Sequence, residues 1–212
     1  MDDLFAGARG DVVLQEGAVL FAGMAAGMAA DLWAAVQAVV AVAPFRHLVT
    51  PGGHTMSVAM TNCGAAGWMS DRRGYRYERL DPLTGRAWPA MPEMFLHLAA
   101  RAAAKAGFDG FAPDVCLINR YVPGARMTLH VDHDEKDFGA PIVSVSLGLP
   151  AVFLWGGTAR TDKPRRVPVF SGDVVVWGGP ARRNYHGVLA LKPGVDGLVG
   201  EQRINLTFRR AL

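Results

Sequence analysis

Seven short runs fill the second half of this chain: VCLINRYV, MTLHVDHD, IVSVSLGL, AVFLWGG, RVPVF, DVVVWGG and RINLTFRR. Each is rich in β-branched or aromatic residues and is bounded by turn formers, which is the pattern of a strand. No helical periodicity lies between them. Parallel neighbours need long crossovers, usually helical, so these runs are expected to pair antiparallel in a sandwich or barrel of the jelly-roll kind. A Rossmann-type nucleotide site is disfavoured for the same reason.

The helices are expected earlier in the chain. After a short strand near residues 19–21, an Ala-rich segment reads as a helix that packs Leu32, Trp33, Val36 and Val39 inward and ends at Pro44. The stretch 17–44 is long enough to span a bilayer. It is expected not to, because Asp31 at its centre costs about 3 kcal/mol there and no basic cluster flanks it. Residues 45–92 carry Gly, aromatics and short β-like runs such as TMSVAMTN and GYRYERL, which predict hairpins and loops forming an appendage. A second helix is expected over 92–105, opened by Pro and Glu and stopped before Gly107.

With 212 residues, half of them apolar and 19% charged, one globular domain over 1–212 is the expected organisation. The net charge of +3 would help a polyanion bind only if the basic residues cluster. Cys63 and Cys116 form no CxxC pair, which argues against a disulfide scaffold or zinc ribbon and fits a reducing cytoplasm. No charged n-region opens the chain, so no signal peptide is expected.

The segment LHVDHDE, residues 129–135, concentrates two imidazoles and three carboxylates. If it is a strand, His130, Asp132 and Asp134 share one face, while Val131, His133 and Glu135 share the other. An imidazole and a carboxylate two residues apart can then chelate one ion, with a third ligand from a distant strand. His-x-Asp is short enough to arise by chance, but His186, in NYHGV after the buried-looking DVVVWGG, supplies the missing ligand. Two histidines and one carboxylate hold non-haem Fe(II) while leaving positions open for chemistry. A structural zinc site is more often closed by four protein ligands.

RINLTFRR puts Arg203, Asn205, Thr207 and Arg209 on one face and Ile204, Leu206 and Phe208 on the other. Beside an open iron site, two guanidiniums read as a receptor for a carboxylate. Asn119 and Tyr121, on a shared face of VCLINRYV, can add hydrogen bonds.

HVD at 130–132, His186 and RINLTFR at 203–209 resemble the iron- and 2-oxoglutarate-dependent dioxygenases. TPGGHTMSVAMTNCG, WPAMP, INRYVPGA, APIVSVSLGLPAVF and GDVVVWGG resemble, more closely, the AlkB family of alkylated-nucleic-acid repair demethylases. The resemblance runs from about Phe45 to Arg209; the Ala-rich segment before Phe45 departs most. It implies an α+β, mainly β fold: a double-stranded β-helix (jelly-roll) core over 113–212, supporting N-terminal helices, and a nucleotide-recognition lid over 45–92.

The same resemblance implies Fe(II) on His130, Asp132 and His186, with 2-oxoglutarate on Asn119, Tyr121, Arg203, Asn205 and Arg209. The implied reaction consumes O2 and 2-oxoglutarate and hydroxylates an N-methyl group, giving succinate, CO2 and, from the hemiaminal, formaldehyde. Trp68, Tyr75, Arg76 and Tyr77, with Arg160 from the loop after LWGG, become substrate contacts, and Arg72 and Arg73 are placed to approach phosphate. An extruded base would lie between Trp68 and His186. Asp134, too far along to be a fourth ligand, suits a cationic base such as 1-methyladenine or 3-methylcytosine.

The expected partner is alkylated single- or double-stranded DNA, with RNA left open, acted on by a cytoplasmic monomer that uses no membrane. Two other readings stand beside this one: a hydroxylase of a protein or small molecule on the same fold, and a non-catalytic, cupin-like metal-binding module.

Overall fold

A computed structural model describes residues 9–212. The described residues begin with the hairpin β1 (Val12–Gln15) and β2 (Ala18–Phe21), followed by helix α1 (Ala29–Val42). Next come β3 (Arg46–Val49), β4 (Thr55–Gly64), β5 (Gly67–Asp71), β6 (Gly74–Glu78) and helix α2 (Glu93–Lys105). The second half is β7 (Val115–Tyr121), β8 (Met127–His130), β9 (Ile142–Gly148), β10 (Ala151–Trp155), β11 (Arg165–Val169), β12 (Val174–Trp177), β13 (His186–Val188) and β14 (Arg203–Arg209).

Eight strands form one sheet in the order β1-β2-β12-β9-β14-β7-β4-β3, and four form a second in the order β11-β10-β13-β8. Strands β5 and β6 pair as a separate hairpin. Neighbours run antiparallel throughout these sheets. This is the mainly β, jelly-roll-like architecture expected from helix-free strand runs. Residues 45–92 do not all stand apart: β3 and β4 extend the large sheet, while β5 and β6 do not.

Strand alternation decides what each face does. On β14, Ile204, Leu206 and Phe208 are fully buried in a cluster with Leu32, Val36 and Val39 of α1 and Phe95 and Leu98 of α2. Phe95 meets Phe208 edge to face at 5.8 Å between centroids. Each such side chain contributes roughly 1.5–3 kcal/mol by leaving water. Trp33, expected to point inward, is only half-buried at the margin of this cluster. Among the described residues, no helix is long and apolar enough to cross a membrane.

Phe153, Trp155, Val167 and Val169 of the small sheet join Val175 and Trp177 of the large one in a second cluster. It is the aromatic packing between the layers, with Trp155 and Trp177 at 6.1 Å.

Strand β13 escapes a reading based on apolar runs because it has three residues. A close approach makes it a strand: a Cβ on Gly187 would lie only 2.7 Å from the Met127 carbonyl oxygen of β8. The missing side chain lets β13 lie against β8 and sets His186 opposite His130 in register.

Candidate metal and anion site

The nitrogen and oxygen donors of His130, Asp132 and His186 all lie within 4.8 Å of one another. Nε2 of His130 is 3.7 Å from one Asp132 carboxylate oxygen, and Nε2 of His186 is 3.6 Å from the other. Each imidazole is oriented by its second nitrogen. Nδ1 of His130 lies 2.9 Å from the Thr128 carbonyl oxygen, and Nδ1 of His186 lies 3.1 Å from that of Asn184. With Nδ1–H donating to a carbonyl, the Nε2 lone pair faces the carboxylate and is free for a metal.

The electrostatics favour the ligating protonation states. Burial, reinforced by His130, pulls His186 down to about 3, so its ring is neutral at pH 7. Burial opposes ionisation of Asp132, but Arg209, His186, His130 and Arg182 together outweigh it and hold the carboxyl below its ordinary value. Two imidazoles and a carboxylate suit Fe(II) and leave coordination positions open.

The polar face of β14 adjoins this triad. Register pairs Arg203 with Tyr121 and Asn205 with Asn119 across β7 and β14. All four are buried. The Arg203 guanidinium lies over the Tyr121 ring at 5.0 Å and donates from Nη2 to Ser146 Oγ at 2.9 Å. Its Nε and Nη1, like Asn119 Oδ1, are buried with no hydrogen-bond partner.

Buried donors without partners are costly, about 1–3 kcal/mol each and more when charged, so this end of the cradle is shaped for an anion. The two unpartnered Arg203 donors match what a carboxylate of a keto acid would accept. Asn205 donates from Nδ2 to Ser144 Oγ at 2.8 Å, and Arg209 donates from Nη2 to Asp132 Oδ2 at 2.9 Å.

The expected alternation does not continue through LHVDHDE. Strand β8 ends at His130, and residues 131–135 are loop. His133 is exposed and donates from Nδ1 to Asp134 at 2.9 Å, outside the triad as expected. Glu135, placed by alternation on the face away from the ligands, is instead buried beside them. It accepts from Tyr77 Oη at 2.6 Å and Arg182 Nη2 at 3.1 Å, and lies 3.3 Å from Arg209 Nε. Once the strand hydrogen bonds stop, parity no longer governs direction, and two buried guanidiniums draw the carboxylate inward.

Trp68 stacks on Tyr75 across the β5–β6 hairpin, with centroids 5.5 Å apart and planes at 15°. Its Nε1 donates to Asp134 at 2.8 Å, which ties this aromatic pair to the loop carrying Asp132. Arg76 is held by Asp71 at 2.8 Å and Glu78 at 2.6 Å, and Arg73 is held by Asp71 at 2.8 Å. Arg160 sits on an exposed loop between β10 and β11. His186 is packed by Trp177 at 4.9 Å and His130 at 4.4 Å.

Sequence reasoning missed Glu135, Arg182, Ser144 and Ser146. The two serines, alternating in an otherwise apolar buried strand, are a readable sign of a polar inner face. Glu135 and Arg182 had no such sign.

The profile of the 2OG-Fe(II) oxygenase superfamily matches residues 17–209. The chain is 53% identical over 212 residues to the alpha-ketoglutarate-dependent dioxygenase AlkB of Escherichia coli K12, covering 100% of this chain and 98% of that protein. It is 31% identical over 174 residues to the DNA N(6)-methyladenine demethylase ALKBH1C of Arabidopsis thaliana, covering 70% of this chain and 38% of the relative. The solved structure of OsALKBH1 superposes with a TM-score of 0.84 at 28% identity, covering 94% of this chain and 99% of that one. With the His-Asp-His centre, the anion cradle and these likenesses in agreement, the chain belongs to the 2OG-Fe(II) oxygenase superfamily, as an Fe(II)- and 2-oxoglutarate-dependent dioxygenase of the AlkB kind.

Proposed function

We propose that this enzyme removes alkyl groups oxidatively from the nitrogens of nucleic-acid bases, with 1-methyladenine and 3-methylcytosine as substrates. The observation that carries the reading is the Trp68–Asp134 hydrogen bond of 2.8 Å, which couples a stacked aromatic pair to the loop of a metal ligand. Stacking on such rings is worth about 1–3 kcal/mol per base and is tolerant of base identity. A carboxylate next to it favours a base made cationic by methylation. Relatives named as demethylases of DNA and of tRNA support the same substrate class.

In this reading His130, Asp132 and His186 hold Fe(II), and Asn119, Tyr121, Arg203, Asn205 and Arg209 hold 2-oxoglutarate. When bound, iron with 2-oxoglutarate and O2 supplies the oxidant that hydroxylates the N-alkyl carbon. The protein does the rest. Arg203 and Arg209 fix the anion, the apolar wall of Phe153 and Trp177 keeps water away from His186, and Trp68, Tyr75 and Tyr77 hold the base. Asp134 balances its charge. Arg76 and Arg160 lie toward the nucleic-acid backbone; for Arg76 this means exchanging Asp71 or Glu78 for phosphate.

The domain is read as one unit over 1–212, with 113–212 as core and 45–92 as lid. DNA in single or double strands and RNA all fit a site that takes one extruded base. Two buried, free cysteines accord with a reducing cytoplasm, where the enzyme is proposed to act as a monomer without a membrane partner.

Incubation with a 1-methyladenine oligonucleotide, Fe(II) and ascorbate tests the reading. Formaldehyde release that requires 2-oxoglutarate is expected. No release, with succinate formed on a peptide or small molecule instead, would assign the fold to another hydroxylase. No succinate on any substrate would leave a metal-binding module.

A further inference from the structure

Asp132 lies beyond the end of β8, where no strand hydrogen bonds hold it. Arg209 holds its carboxylate, and its main chain is held by Arg182, a buried side chain four residues before His186. Its Nη1 donates to the main-chain oxygen of Asp132 at 2.8 Å, its Nη2 to Glu135 at 3.1 Å and its Nε to the carbonyl oxygen of Ala140 at 3.2 Å. All three acceptors belong to the loop that carries the carboxylate ligand. A planar guanidinium with its donors in a fixed fork can hold three acceptors of one loop at set directions, which a lysine cannot.

The same turn orients the second imidazole. The Asn184 carbonyl oxygen receives Nδ1 of His186 at 3.1 Å. The Asn184 side chain is itself fixed, donating from Nδ2 to the Gly156 carbonyl oxygen at 2.8 Å and to Gln15 Oε1 at 2.6 Å. Gln15 also accepts from Trp155 Nε1 at 3.1 Å. The N-terminal hairpin thus reaches beneath His186 through one half-buried side chain.

We propose that residues 179–185 form the positioning element of the metal centre: Arg182 sets where Asp132 sits, Asn184 sets the direction of His186, and Gln15 braces Asn184. Both anchors lie in one short turn, so the spacing of the carboxylate and imidazole ligands is fixed by this turn in addition to the β8–β13 pairing, which ends before Asp132. Arg182 and Asn184 are positioning residues, since neither presents a donor atom to the ion. The proposal rests on the assignment of the triad as the iron site, but not on any substrate.

The test is a Co(II) titration of the metal-free full-length chain, read by ligand-field absorption and by the thermal shift on metal addition. Arg182→Lys and Asn184→Ala are expected to weaken Co(II) binding by about ten- to hundredfold, the usual effect of removing a partner that orients a ligand. The Co(II) spectrum should also change shape, which a loss of stability alone does not produce. Gln15→Ala, at a half-buried position clear of the ion, should give a smaller loss in the same direction, and it decides the matter if the other variants do not fold. Parental affinity and an unaltered spectrum in folded Arg182→Lys and Asn184→Ala, or in Gln15→Ala where those do not fold, would overturn the proposal. His130→Ala run in parallel separates the two levels: if it too binds Co(II) normally, the triad assignment itself fails.

Discussion

His130 and His186, far apart in sequence, are register partners across β8 and β13, with ring centroids 4.4 Å apart. The pairing brings two imidazoles to one carboxylate, and each ring is turned by a carbonyl two residues before it. Alanine at His130, Asp132 or His186 should therefore abolish both metal binding and turnover. His133→Ala should bind metal as the parent does, because its ring points to Asp134 and solvent. Metal content after reconstitution, measured beside activity, checks both statements; loss of metal in the His133 variant contradicts them.

Arg203 keeps two donors buried without partners. Replacing it with Ala should raise the 2-oxoglutarate requirement by about ten- to hundredfold, as expected for losing charged hydrogen bonds worth roughly 1.5–3 kcal/mol. Lys should not rescue it, because the site uses Nη2 on Ser146 and needs the remaining fork for a carboxylate. Steady-state titration of 2-oxoglutarate reads this directly, and an unchanged requirement would mean that the carboxylate binds elsewhere.

Asp134 accepts from Trp68 Nε1 and, in the proposed function, also presents charge to the base. Asp134→Asn retains an acceptor for Trp68 Nε1 and removes the charge, whereas Asp134→Ala removes both. Turnover of 1-methyladenine should fall in both variants. Turnover of a neutral lesion should fall in the Ala variant alone. Equal losses on cationic and neutral lesions in Asp134→Asn would show that charge is not what Asp134 supplies.

Asp81 and Arg46 pair at 2.6 Å with both side chains largely buried, away from the metal centre. The Arg46 hydrogen bond, outweighing burial, holds the Asp81 carboxyl below its ordinary value. A depressed folded value stabilises the native chain above the unfolded value of about 4, and this contribution is lost as pH falls through the folded one. Asp81→Asn should lower Tm near neutrality, with a gap to the parent that shrinks as pH falls below about 4. A gap independent of pH would assign the loss to packing.

How much of this was legible in the sequence depends on whether a residue sat in a regular element. Arg203, Asn205, Asn119 and Tyr121 lie on strands long enough for alternation to place them, and they fall in register on one buried face. The triad was legible because His-x-Asp sits where β8 ends and His186 follows a buried strand. Glu135 was misplaced because the loop begins one residue after His130, and no residue pattern marks that point. Arg182 was not singled out because two of its three partners are main-chain oxygens, which any sequence supplies, and the third, Glu135, was itself misplaced. Strand β13 was too short for periodicity, and only the space around Gly187 reveals it. Ion pairing of Arg73 and Arg76 to Asp71 needed the hairpin register to be seen.

The most direct test of the central claim is the anaerobic absorption spectrum of the protein with Fe(II) and 2-oxoglutarate. Chelation of the keto acid to a His-Asp-His iron produces a visible metal-to-ligand charge-transfer band. The band is predicted in the parent, weakened in Arg203→Ala until 2-oxoglutarate is raised, and absent in His186→Ala. A parent without the band, or a His186→Ala variant that retains it, would contradict the placing of iron and 2-oxoglutarate between these residues.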